Sequence, residues 1–130
     1  MSDLICLRNI TLSDGQVQTL WIADGCLITL PDGSPDARVI DGEGGLFLPL
    51  AIDLCARLRE PGATHKATIA SETAAAISAG IGTVCLPPDT KPVIDQPAVV
   101  DWIDDRGRDA DVSLKLLGAL TEGLAGEALA

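Results

Sequence analysis

Hydrophobic and polar positions change their rhythm once along this chain, at Gly44-Gly45. Before that point, short β-prone runs at 4–9, 16–23, 26–30 and 37–40 are punctuated by Asp14-Gly15, Asp24-Gly25, Asp32-Gly33 and Asp41-Gly42. Asp-Gly pairs tolerate the positive φ angles of tight hairpin turns, so the spacing predicts a small antiparallel sheet. After it, Leu46-Phe47-Leu48-Pro49-Leu50-Ala51-Ile52-Asp53-Leu54 is almost continuously apolar, as expected of a strand buried on both faces. Pro49 has no N–H to give a ladder, which places the usable strand after it.

Helical spacing follows. Ile69, Thr73, Ala76 and Ile77 recur on one face of 66–79, and Gly80 supplies the stop. Ile81–Leu86 reads as a second buried strand, followed by the loop Pro87-Pro88-Asp89-Thr90-Lys91-Pro92. Asp95 is expected to cap a second helix with Pro97 in its first turn, the apolar stripe Val99, Val100, Trp102 and Ile103, and Gly107 at its end. Residues 112–117 form a third strand, and 121–130 begin a further helix. The expected α/β organisation is thus a β-rich leader, 1–48, and a β-α-β-α-β-α segment, 49–130, with parallel strands and right-handed crossovers. A closed barrel of this kind needs roughly 200 to 250 residues, so the 130 present supply its first three units. The open edge of such a sheet is expected to seek a partner.

Charge narrows the partners. The net charge is −10 with no cluster of Lys or Arg, which disfavours nucleic acid and anionic membranes. With one Phe and two Trp, the core must be aliphatic. Cys6, Cys26, Cys55 and Cys85 form no Cys-x-x-Cys and read as buried small apolar residues in a reducing compartment. Met-Ser-Asp-Leu opens the chain without a basic region, and no apolar run has membrane-spanning length, so a soluble cytoplasmic protein is expected. Gly42, Gly44 and Gly45 fit neither a Walker loop nor a dinucleotide fingerprint.

Three stretches carry a resemblance. Asp53-Leu54-Cys55-Ala56-Arg57-Leu58-Arg59-Glu60-Pro61-Gly62 is similar to the first barrel strand and loop of dihydroorotases, where Asp-x-His-x-His precedes Leu-Arg-Glu-Pro-Gly. Leu86-Pro87-Pro88-Asp89-Thr90-Lys91-Pro92 resembles their Met-Pro-Asn-Thr-x-Pro, and Gly118-Ala119-Leu120-Thr121-Glu122-Gly123-Leu124-Ala125-Gly126-Glu127 resembles their Gly-Ala-Leu-Thr-x-Gly-x-x-Gly-Glu. The order is right, and with the leader the likeness covers essentially the whole chain. It implies an amidohydrolase-like fold: a small amino-terminal β-sandwich piece, completed in relatives by carboxyl-terminal strands, followed by a partial β/α barrel.

Family chemistry is the zinc-assisted, reversible closure of carbamoyl aspartate to dihydroorotate. Here the former metal-ligand positions hold Cys55 and Arg57. A thiolate can bind zinc, but a guanidinium has no lone pair to donate and repels the cation. Cys55 reads first as a small core residue and otherwise as a ligand; Arg57 either fills the metal region or pairs with an acid such as Asp53 or Asp89. Arg59 matches the arginine that grips the substrate carboxylate in active relatives, or is a salt-bridged loop residue. Asp89 replaces the substrate-contacting asparagine, and its charge opposes an anionic substrate. His65, the sole histidine, lies outside the ligand positions and reads as a solvated surface residue.

No catalytic residue, metal or other cofactor is therefore expected. The resemblance implies a non-catalytic dihydroorotase-like protein of bacterial pyrimidine biosynthesis, serving as structural partner of the aspartate carbamoyltransferase catalytic subunit in an oligomeric assembly. A metal-dependent dihydroorotase or other cyclic amidohydrolase, present here as a fragment, is the alternative.

Overall fold

The computed structural model describes residues 4–29, 33 and 36–130, which divide into two compact units between Pro49 and Leu50. In the first, β1 (Ile5–Thr11), β2 (Val17–Ala23), β3 (Cys26–Ile28) and β4 (Arg38–Asp41) form one sheet in the order β3-β2-β1-β4. The β1–β2 and β2–β3 pairs are antiparallel, but β4 runs parallel to β1. The sheet is mixed, not antiparallel as expected.

The four Asp-Gly pairs play different parts. Asp14-Gly15 and Asp24-Gly25 make the expected hairpins; in the second, both residues have positive φ, 50° and 75°, matching the twist of the flanking strands. Asp41-Gly42 instead ends β4. Its glycine is needed because a Cβ there would stand 2.4 Å from Cγ2 of buried Ile10. Leu30, the expected end of the third strand, and Asp32 of the remaining pair lie outside the described residues.

Asp41 anchors the end of β4 through its carboxylate. Oδ1 accepts from the Glu43 N–H at 2.9 Å and the Asn9 amide at 3.1 Å, while Oδ2 faces Arg8 Nε at 3.1 Å. These donors, led by the Glu43 N–H, hold its pKa below the ordinary 3.8. A folded-state pKa below the unfolded one stabilises the unit above about pH 3.8 and loses that contribution as pH falls through the lowered value. Asp41→Asn is expected to flatten the acid limb of unfolding followed by Trp21 fluorescence in a Trp102→Phe background. An unchanged limb contradicts this linkage.

The second unit is parallel. Its strands β5 (Ala51–Asp53), β6 (Ile81–Leu86) and β7 (Ser113–Leu116) stand in the order β5-β6-β7, linked by α1 (Ile69–Ser78) and α2 (Pro97–Gly107). The core is aliphatic: Leu58, Ile69, Leu86, Ile94 and Ile103 are buried together, with Val99, Val100, Leu114 and Leu116 packed around them. Thr68 and Ser71 close a capping box that starts α1, three residues later than periodicity predicts. Gly80, at φ 80°, follows its end.

Further expectations change in this unit. β5 is an edge strand with one neighbour, and Ile52 and Leu54 are 62% and 73% exposed, not buried on both faces. Asp95 does not cap α2; Gln96 precedes Pro97 there, and Asp95 Oδ2 accepts from the Gly123 N–H at 2.8 Å. Trp102 leaves the apolar stripe and lies beneath the Arg106 guanidinium, 4.1 Å from its ring centroid. The helix expected at 121–130 reduces to a 3-10 turn, Glu122–Leu124, because Gly123, Leu124 and Gly126 have positive φ and fold the chain into a loop closed by Glu122 N–H to Ala128 O. Of the cysteines, Cys6 is buried, whereas Cys26 and Cys55 are exposed and Cys85 is half-buried.

Candidate functional site

At the carboxyl end of β5 the chain turns at once. Asp53 Oδ1 accepts from the Cys55 N–H at 2.9 Å, a side-chain turn, and the Ala56 N–H then reaches Cys85 O at 2.9 Å beside β6. From there, side chains divide between two sides. Leu58, Glu60 and Pro61 point into the protein; Cys55, Arg57 and Arg59 are exposed.

Glu60 secures the inner side. Only 5% exposed, its carboxylate accepts from the Ile69 N–H through Oε2 at 2.8 Å, and Oε1 lies 3.6 Å from Arg106 on α2. It therefore satisfies an otherwise unpaired donor at the start of α1 and places negative charge at the positive end of that helix. Arg59 adopts φ 67°, and Gly62 adopts φ 112° where a Cβ would come within 2.9 Å of Lys91 Cβ. The glycine lets the loop lie against the segment that follows β6, where the Lys91 N–H points at Pro61 O.

The outer side forms a cleft of about 260 Å³. Arg57, Arg59, Asp89, Thr90 and Lys91 line it, over the buried side chains of Leu58 and Leu86. Of the acids offered to Arg57 by the sequence, it takes Asp89: Nε and Nη2 each lie 2.9 Å from Asp89 Oδ2. Nη1 also points at Cys55 Sγ, 3.9 Å away. The Asp89 hydrogen bond, then its charge and the nearby thiol, raise the Arg57 pKa, which keeps the guanidinium charged. Arg59 has no ion-pair partner among the described residues.

Cys55 lines a neighbouring cleft of about 320 Å³ with Asp53 and Glu72. Among the described residues, no three His, Cys, Asp or Glu side chains converge as a metal site requires. The donor chemistry at positions 55 and 57 does not fit a zinc pair: the sulfur faces a permanent cation, and that cation is held by its own carboxylate. His65 is exposed and lines neither cleft. Periodicity gave no sign of Glu60's double role or of Lys91 in the cleft, since both are set by loops. The Glu-Pro-Gly and Pro-rich stretches are the signals that mark those loops.

Several known proteins are similar. The family model described as "Dihydro-orotase-like" matches residues 44–129. A "Dihydroorotase-like protein" of Pseudomonas putida is 46% identical over 88% of this chain and 28% of its own length; one of Pseudomonas aeruginosa is 41% identical with the same coverage. A "Dihydroorotase" of Deinococcus radiodurans is 41% identical over 88% of this chain and 27% of its own. The chain thus spans between a quarter and a third of the length of these curated relatives. L-Hydantoinase (dihydropyrimidinase) from Arthrobacter aurescens superposes with a TM-score of 0.70 at 22% identity, over 93% of this chain and 28% of that one, a likeness of fold.

Proposed function

Since the chain belongs to the dihydroorotase-like family and has an amidohydrolase-like fold, a small β-sandwich piece with a partial β/α barrel, we propose that it is a non-catalytic member, retained for assembly and not for turnover. One observation carries this reading. Where the family places two metal-binding histidines, Arg57 stands beside Cys55 with its guanidinium fixed on Asp89. A positive charge is supplied there without a lone pair, so neither a bound zinc nor its activated water is available at this mouth. Asp89 also sets a carboxylate where a neutral amide would face an anionic substrate.

The partner is the one that the resemblance implies: the aspartate carbamoyltransferase catalytic subunit, in an oligomeric complex of bacterial pyrimidine biosynthesis. The compartment is the cytoplasm, and no cofactor is used. Among the described residues no helix is long and apolar enough to cross a membrane.

A second reading has its own support, because several relatives carry the name dihydroorotase. On that reading the protein is a metal-dependent hydrolase of a cyclic amide C–N bond. Purified full-length product separates the two. The non-catalytic reading expects no stoichiometric zinc by metal analysis, no hydrolysis of dihydroorotate, and co-elution with the carbamoyltransferase subunit. Bound zinc together with turnover sinks it.

A further inference from the structure

In an Asp-Gly pair the side-chain carboxyl can approach the next main-chain nitrogen with little hindrance, because the second residue has no side chain. Three such pairs lie among the described residues, and the fold holds them differently. At Asp14-Gly15 the carboxylate accepts from the Gln16 N–H at 2.9 Å, and the Gly15 N–H donates to Leu12 O at 2.9 Å. At Asp41-Gly42 the carboxylate faces Arg8, Asn9 and the Glu43 N–H, the Gly42 N–H donates to Arg8 O at 2.8 Å, and Ile10 fills the space beside the glycine. Asp24-Gly25 has none of these restraints. Among the described residues neither the Asp24 carboxylate nor the Gly25 N–H has a hydrogen-bond partner. Both residues are exposed, and a Cβ on Gly25 would meet nothing within 4 Å. The strand that follows is lightly held: β3 is three residues long, wholly exposed and paired with β2 alone. A short edge strand without a buried side chain opens at low cost.

We propose that Asp24 is a site of spontaneous backbone modification, converting to isoaspartate through a cyclic imide during openings of β3. The Gly25 nitrogen attacks Cγ of Asp24 in its acid form. A C–N bond forms, the bond from Cγ to its hydroxyl breaks, and that hydroxyl leaves with the amide proton as water. A second water then opens the five-membered imide. Attack at Cγ returns aspartate; attack at the former main-chain carbonyl leaves the chain running through Cγ, with the α-carboxyl as the new side group. Nothing is oxidised or reduced, and water is the only co-reactant. The product adds one carbon to the backbone of a two-residue turn built on φ 50° at Asp24 and 75° at Gly25. Ala23 can then no longer stand opposite Cys26, and the outer edge of β2, with Trp21 and Ile22, loses its partner. The conversion is thus a marker of age that uncovers a sheet edge, and it is independent of the reading of the barrel mouth.

Ageing of the full chain in warm, mildly acidic buffer, once folded and once in denaturing urea, tests it. Proteolytic peptides are assigned as aspartate or isoaspartate by electron-transfer fragmentation. In the folded protein, isoaspartate should form at Asp24 about tenfold faster than at Asp14 or Asp41, because only there are both reacting groups without a hydrogen bond. In urea the three rates should come within about threefold of one another, since the dipeptide is the same and the fold that distinguishes them is gone. Deuterium exchange at residues 26–28 should quicken in the isolated isoaspartyl fraction. Folded protein that forms no isoaspartate at Asp24, or as much at Asp14 or Asp41, overturns the proposal. A preference for Asp24 that persists in urea overturns its structural cause. Exchange that is unchanged at residues 26–28 overturns the release of β3.

Discussion

Glu60→Ala is expected to destabilise the unit running from Leu50 by about 3 kcal/mol. Truncation leaves the buried Ile69 N–H without an acceptor, which costs roughly 1 to 3 kcal/mol, and removes negative charge from the start of α1, worth roughly 0.3 to 2 kcal/mol. Losing the ion pair itself adds little. Arg106 is half-exposed and keeps its stacking on Trp102, so its charge is not stranded in the interior. Glu60→Gln retains an acceptor oxygen for Ile69 and should cost only about 1 kcal/mol. Denaturant unfolding followed by Trp102 fluorescence, in a Trp21→Phe background, reads both values. Equal losses in the two variants would mean that charge at the helix terminus, and not the unpaired N–H, dominates.

Ile103→Ala should cost about 3 to 4 kcal/mol by the same measurement. Ile103 is 0% exposed and packs among Leu58, Ile69, Leu86 and Ile94, drawn from the loop, α1, β6 and the segment before α2. Ile69 and Leu86 are held in α1 and β6, which limits collapse into the space. The lost transfer energy and the cavity therefore add. Ile103→Val removes one methylene and should cost only about 1 kcal/mol. Against a total of roughly 5 to 10 kcal/mol for a small domain, the alanine variant leaves the second unit near its limit. An Ile103→Ala variant as stable as the parent would show that this face of α2 repacks freely.

Much of the fold is legible in the chain because local rules suffice for it. The hairpins at Asp14-Gly15 and Asp24-Gly25, the alternation of strand and helix from Ala51 to Leu116, and the stop at Gly80 all follow from neighbours in sequence. What escapes is non-local. The parallel seat of β4 on β1 is decided by partners more than thirty residues apart, as in Ile5 opposite Arg38. Exposure of Ile52 goes with β5 having a single neighbour, and apolar composition alone cannot say which strand that is. In the candidate site, the resemblance singled out Cys55, Arg57, Arg59 and Asp89, and the structure brings the last three into one cleft with Lys91. The pairing of Arg57 with Asp89 over Asp53 depends on the register of β5 against β6, where Asp53 lies beside Val84 and is spent on its own turn.

Between Asp53 and Gly62, inward and outward residues alternate in purpose as well as in direction. Leu58, Glu60 and Pro61 fix the path of the backbone, while Cys55 and Arg57 touch mainly one another and Asp89. The side chains of Cys55 and Arg57 make none of the backbone contacts of the stretch. Selection on shape and selection on chemistry can thus act on different members of one short stretch.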